Sequence, residues 1–330
     1  MSRGFDSFEI DDFRTSAPAP AREIGADTTS SADDWRARQR VREEEYRSEH
    51  PSRDAQHRAG REHPPLPREE RVRLILQQRT RSTYRDRAKT FALRDSEIHT
   101  LSEVAKFRVV AKHDLAEFAY NGDRSRMESD MENLERQGLA RVTAIADTEL
   151  NPREVVTLSK NGHKLVSRGQ LVPPDQAIYH GLKKPREANH DADLYRLYHK
   201  VADEIEARGG RVLRVRLDYE LKEELYSRLH RAAKDASRNQ DKVKEDVAKR
   251  HHLKVVSGKI PIPDLRVEYL RENDAQIQRR DVELATDHYR PQALSEKARA
   301  GFHIYARPED TTRLRRIRDE GDLMTAILRL

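Results

Sequence analysis

Asp123–Val142, DRSRMESDMENLERQGLARV, is the stretch on which the fold turns. Asp123 is a short carboxylate of the kind that accepts the free N–H groups of a first helical turn. Met127, Met131 and Leu134 follow at helical spacing in an otherwise charged run. The spacing predicts a helix over Arg124–Gln137 with one buried stripe, stopped by Gly138. Upstream, Asn121-Gly122 makes a turn, and Lys112–Tyr120 forms a helix with Leu115 and Phe118 inward. Before that, Ser96 opens a helix carrying Ile98, Leu101, Val104 and Phe107, and Val109-Val110 is a short extended piece. Downstream, Leu139–Ile145 and Glu154–Leu158 read as two strands around the polar tip DTELNP, and Ser159 caps a last helix through Val166.

Helix, short strand, two helices joined by a turn, two-stranded wing and helix is the order of a winged helix domain. Leu134–Val142 (LERQGLARV) and Val155–Val166 (VVTLSKNGHKLV) resemble the recognition helix, wing strands and following helix of MarR-like winged helices. The resemblance implies binding of double-stranded DNA through the helix that begins at Asp123. Arg124, Ser125 and Arg126 then lie in the turn that meets base edges or phosphates, with Lys112, Arg153 and Lys160 as backbone contacts. Glu128, Asp130, Glu132 and Glu135 share that helix and repel phosphate if they face it, so a winged helix that contacts protein stays open. His113 and His163 read as ordinary surface histidines.

Beyond a linker at residues 171–189, rich in proline, a second unit occupies residues 190–330. Asn189 or Asp191 opens a helix with Leu194, Leu197, Tyr198, Val201 and Ile205 on one face. A strand at Arg211–Leu217 and a helix with Leu221, Leu225 and Leu229 lead into a charged insertion, Lys234–His252. Strands at Ile260–Leu270 and Arg280–Ala285, a helix at Pro291–Ala300 and a strand at Phe302–Ala306 follow. A final amphipathic helix is expected to carry Leu314, Ile317, Met324 and Ile327.

With the inserted helix set aside, the order is α-β-β-β-α-β, which resembles the PD-(D/E)-x-K, or restriction-endonuclease-like, nuclease superfamily. Pro263-Asp264 and the run Asp281-Val282-Glu283-Leu284-Ala285 carry the likeness. It implies a catalytic Mg²⁺ held by Asp264 and Glu283, with Glu204 a candidate third acid, because a hard cation takes oxygen ligands. The motif lysine is replaced by Ala285, and Lys297, from the next helix, is the candidate substitute. A non-cutting DNA or protein platform is the alternative. The segments IPDLRVEYL, DVELATDHYRP and LSEKARAGFHIYA, with the winged helix before them, most resemble the replication-relaxation family of bacterial mobile elements. That family likeness, over about Leu93–Ala306, implies a DNA-binding function in relaxation or initiation at an origin. It also implies a second copy or a mobile-element protein as partner. The fold class expected is α+β: a disordered or partly helical arm over residues 1–90, a winged helix-turn-helix over 91–170, and an α/β unit with a central mixed sheet.

Composition bounds these expectations. The 330 residues contain no cysteine, which excludes disulfides and any Cys-ligated metal site. No apolar run approaches a membrane span and the start lacks a signal-peptide pattern, so a cytoplasmic protein is expected. With 64 Lys+Arg against 58 Asp+Glu, the basic surplus is small and argues only weakly for an anionic partner. The arm divides into an acidic tail, Met1–Asp34, and a basic segment to about Ala92, read as partly helical and solvated, with arginine contacts to nucleic acid as the alternative. His180, His190 and His199 lack zinc-ligand spacing, and His251-His252 reads as solvated. Tyr289, near Lys297, suggests a nicking nucleophile, but the histidine cluster a tyrosine relaxase normally relies on is missing. Neither a phosphate-binding glycine loop nor an internal repeat is present.

Overall fold

The computed structural model describes residues 66–86, 89–148, 151–233, 239–271, 274, 276–286, 289–307, 310–312, 314–315 and 327–330. The acidic tail and the basic segment as far as residue 65 lie outside them, as do Ile317 and Met324. Among the described residues no helix is long and apolar enough to cross a membrane.

The first unit begins earlier than the sequence suggests. Helix α1 (Arg68–Gln77) buries Val72, Leu74 and Ile75. Strands β1 (Ser82–Asp86) and β2 (Lys89–Leu93) then pair antiparallel, with Tyr84 opposite Phe91. This hairpin corrects the expectation of solvated helix there. Tyr84, Phe91 and Leu93 are all buried, and two short strands with so few apolar residues leave almost no periodic signal in an arginine-rich run.

Helix α2 (Asp95–Ala105), strand β3 (Val110–Ala111), helix α3 (Lys112–Ala119) and helix α4 (Arg124–Arg136) follow in the expected order. Asp123 caps α4 by accepting from the Arg126 amide, and Asn121 and Gly122 make the turn with positive φ. The α2 start lies two residues before expectation, with Arg94 at the cap: Glu97 accepts from the Arg94 amide, while Ser96 donates to Asp130 instead of capping. Strands β4 (Ala140–Thr148) and β5 (Asn151–Leu158) form an antiparallel hairpin, and β3 pairs with β5 to complete a three-stranded sheet. Helix α5 (Lys160–Arg168) is capped by Ser159, whose Oγ accepts from the Asn161 and Gly162 amides.

Gly162 marks where α5 presses on the chain leaving α4. A Cβ there would stand 2.0 Å from the Leu139 carbonyl oxygen, a backbone atom that cannot swing away. Gly162→Ala is therefore expected to cost about 3 kcal/mol, at the upper end for overpacking, read as a lower urea midpoint at unchanged slope.

The second unit is built on helix α6 (Ala188–Glu206) and a five-stranded mixed sheet. Strands β6 (Arg211–Leu217), β7 (Leu265–Leu270) and β8 (Gln278–Ala285) form an antiparallel meander. Helix α9 (Pro291–Ala300) then returns the chain to β9 (His303–Ala306), parallel to β8, and β10 (Ile327–Arg329) adds itself parallel to β9. Between β6 and β7, helices α7 (Asp218–Ala233) and α8 (Gln240–Arg250) pack through Leu225, Val247 and Ala248. Ile327 is thus in a strand, not in the expected terminal helix. The free edge of β9 offers unpaired backbone groups, and a short apolar run can satisfy them without helical periodicity.

The two units share one apolar cluster. Phe107 meets Tyr195 edge-on at 5.2 Å between ring centroids, and Phe118 stacks on His199 at 4.6 Å. The connector is packed as well: Leu171, Val172 and Gln176 are buried, and the Gln176 amide accepts from Val215 N and donates to Val215 O along the outer edge of β6.

Candidate functional site

Strand pairing brings the acids together. Leu265 on β7 stands opposite Val282 on β8, so one step further along the same register places Asp264 beside Glu283. Along β8, Val282 and Leu284 point into the large core, which leaves Glu283 and Ala285 on the face covered by α9. The two acids lock reciprocally: Glu283 Oε2 accepts from the Asp264 amide at 3.3 Å, and Asp264 Oδ2 accepts from the Leu284 amide at 2.8 Å.

Lys297 enters from α9. Its Nζ lies 2.7 Å from Glu283 Oε1 and donates to the Ile262 carbonyl at 2.7 Å. The hydroxyl of Tyr289 donates to the same Glu283 oxygen. From the other face of the sheet, the first turn of α6 brings His190, whose Nε2 stands 3.6 Å from Asp264 Oδ1, an ion-pair distance too long for a hydrogen bond.

These contacts push the pair apart in acidity. Burial and the neighbouring Asp264 charge raise the Glu283 carboxyl to about 7, despite Lys297 and Tyr289. Burial would also raise Asp264, but His190, Lys297 and the Leu284 amide outweigh it and hold Asp264 below its ordinary value. His190 is pushed up to about 9, since Asp264, Asp191 and Glu283 together overcome the effect of burial.

Sequence reasoning named Asp264, Glu283 and Lys297, and the structure brings all three together. It does not bring Glu204. Glu204 pairs with Arg280 at 2.9 Å and accepts from Tyr305 at 3.2 Å, and it lies fourteen residues, about 21 Å of helix, beyond His190 on α6. Ala285 is sealed among Leu294, Ile304, Ala306, Leu314 and Ile327, so a lysine ammonium there would be buried in an apolar cluster. His190 and the structural role of Tyr289 were not foreseen. The clue to His190 was its place in the first turn of the helix that opens the α-β-β-β-α-β order, and it was weighed only as a zinc ligand.

Among the described residues no three His, Asp or Glu side chains form a metal-holding group. Two carboxylates still fit Mg²⁺, which commonly takes one or two from protein and fills its octahedron with water and phosphate oxygens. Burial, and after it the Asp264 charge, raises Glu283, and Lys297 and His190 already stand as two cations beside the pair.

The expected DNA contacts divide. Arg124 and Ser125 are exposed on the first turn of α4, and Lys160 is exposed on α5. Arg126 turns inward, donating to the Gln78 carbonyl at 2.9 Å and to Ser96 at 3.2 Å, and pairing with Asp130. Lys112 is held between Glu128 at 2.9 Å and Glu154 at 3.1 Å. Arg153 ties the wing to the second unit through Asp193 at 2.8 Å. The outward face of α4 carries Glu128, Glu132 and Glu135. His251, expected to be solvated, is buried beneath α8, where its carbonyl accepts from Arg266 at 2.6 Å.

Comparison with protein-family models, curated proteins and solved structures gave no match.

Proposed function

We propose that this chain is a DNA-acting protein of the replication-relaxation kind, a winged helix joined to a PD-(D/E)-x-K nuclease-like unit that cleaves phosphodiesters with Mg²⁺. The meeting of Asp264, Glu283 and Lys297 at one strand end carries the reading. The α-β-β-β-α-β order on a mixed sheet supports it. Asp264 and Glu283 would hold the cation, which when bound makes water a better nucleophile and offsets charge on the phosphate. Lys297 supplies the ammonium that the motif position lacks, placed by its bond to the Ile262 carbonyl. Tyr289 fixes the orientation of the Glu283 carboxylate. His190, a cation beside Asp264, would be the group to hand a proton to a departing oxygen.

The test is nicking of supercoiled plasmid by the full chain. Open circles should form with Mg²⁺ or Mn²⁺ and not with chelator, and Asp264→Ala should slow the reaction at least a hundredfold. Equal rates for wild type and variant would sink the proposal. The loss of the motif lysine at Ala285 favours the second reading, a non-cutting DNA platform, and that reading predicts no metal-dependent nicking at all.

A further inference from the structure

The sequence places DNA on the first turn of α4, yet that surface is poor in free positive charge. Arg126 and Lys112 are engaged in the protein, and Glu128, Glu132 and Glu135 face outward. A different surface has the opposite character. At the start of α5, Lys160 and Lys164 are exposed, and the connector lays His180 against His163 with 4.7 Å between ring centroids. Lys183 is exposed three residues on. Burial, then the Lys183 and Lys160 charges, hold the His180 ring below its ordinary value and so neutral, with no acid among its neighbours to raise it. Three exposed lysines thus surround two imidazoles that burial and the lysine charges keep neutral, and among the described residues no acid acts on either ring.

This patch continues toward the candidate site. Lys184 lies 5.1 Å and Lys222 5.8 Å from the centroid of the half-buried Tyr219 ring, which Arg108 also covers at 3.9 Å. Lys222 pairs with Asp218 at 2.6 Å, and the Asp218 amide donates to the Asp264 carbonyl at 3.0 Å. The order along the surface is therefore α5, connector, Tyr219, Asp264. Along this part of the path the cations are paired, Lys184 with Glu187 at 3.2 Å and Arg108 with Asp191 at 3.2 Å, so the charge left for a nucleic-acid backbone is that of Lys160, Lys164 and Lys183 at its start.

We infer that Lys160, His163, His180 and Lys183, continuing past Lys184 and Tyr219, form the track that binds the DNA backbone and leads it to Asp264 and Glu283, in place of the outward face of α4. The inference rests on the phosphodiester reading of that site and names the surface that delivers its substrate. Binding is measured without divalent cation, so that it is separable from cleavage. The full chain is titrated onto a fluorescein-labelled 20-base-pair duplex in EDTA, by anisotropy, over a range of salt. Lys160→Glu with Lys183→Glu should weaken binding at least tenfold and flatten the salt dependence by nearly two contacts, at a slope of about 0.9 each. The milder pair Lys160→Gln with Lys183→Gln should show a smaller loss in the same direction, and both pairs should keep the wild-type circular dichroism. Arg124→Glu on α4 should change affinity less than twofold. Loss of affinity in Arg124→Glu with none in the lysine pairs overturns the track, as does a wild-type chain that binds no duplex. Binding through the lysines without any metal-dependent nicking keeps the track and removes the nuclease. Nicking that survives with the lysine pairs binding normally does the reverse.

Discussion

Glu283→Gln is expected to lower metal-dependent nicking by about three orders of magnitude, some 4 kcal/mol of activation free energy, while making the folded chain more stable at pH 8. The first effect follows, on the proposed reading, from removing one of the two carboxylates that meet there among the described residues. The second follows from acidity. In the folded protein Glu283 binds its proton up to about pH 7, whereas the unfolded chain releases it near its ordinary value of 4.5. A carboxyl raised in this way contributes most favourably at low pH. Its contribution is lost as pH rises from about 4.5 through 7, because ionising it beside Asp264 in a buried place is costly. Glutamine keeps the shape and an oxygen for Tyr289 and Lys297 without the charge, and gives up only the long 3.3 Å bond from the Asp264 amide, which its NH2 group would then face. The gain should be on the order of 2 kcal/mol at pH 8 and close to nothing at pH 5, seen as a melting difference of several degrees that grows with pH. A variant that melts lower than wild type at pH 8 would mean that the Lys297–Glu283 pair outweighs the strain. The same pair of results would show why such a carboxylate is kept: stability given up at a site that needs charge.

How much of this was legible depended on whether the signal was local. Helix α4 and its Asp123 cap, the Ser159 cap of α5, and β6 at Arg211–Leu217 carried their own caps or alternation, and the structure has them nearly residue for residue. Asp264 and Glu283 could be found because Pro263-Asp264 and the run Asp281–Ala285 resemble the nuclease motif, and Lys297 because that motif's lysine position holds Ala285 and the next helix offers a substitute. Other features are settled by tertiary partners. The β1–β2 hairpin is held by burial of Tyr84, Phe91 and Leu93 against the first unit, and β10 by the edge of β9. Glu204 lay on the right helix at the wrong end, since a helix of nineteen residues puts its two ends about 28 Å apart. The winged-helix likeness puts Arg126 among the DNA contacts by its position in the first turn of α4. What turns it inward is Asp130, one turn further along, which the sequence shows only as another acid on a charged helix.

Asp130→Ala is expected to be the most damaging single change in the first unit. Asp130 is fully buried on α4 and accepts from Arg94 Nη1 at 2.7 Å, from Ser96 Oγ, from the Tyr120 hydroxyl at 3.3 Å and from Arg126 Nε at 3.4 Å. One carboxylate thus joins α4 to α2, to the turn after α3 and to the loop that carries Arg94. Alanine would leave two guanidinium groups, each mostly buried, without the carboxylate they share, and the Ser96 hydroxyl short of its acceptor, while the Tyr120 hydroxyl keeps Thr100 at 2.6 Å. Breaking a buried pair from one side costs about 3–5 kcal/mol, enough in urea titration to move the midpoint by more than 1 M at ordinary slopes of about 2 kcal/mol per M. Arg126→Ala should cost less, about 1–2 kcal/mol, because Arg94 still neutralises Asp130. The contrast tells the two roles of Arg126 apart. A base-reading arginine would lose duplex affinity at unchanged stability. An arginine that braces α4 against α1 and α2 should lose stability, with duplex affinity within twofold of wild type.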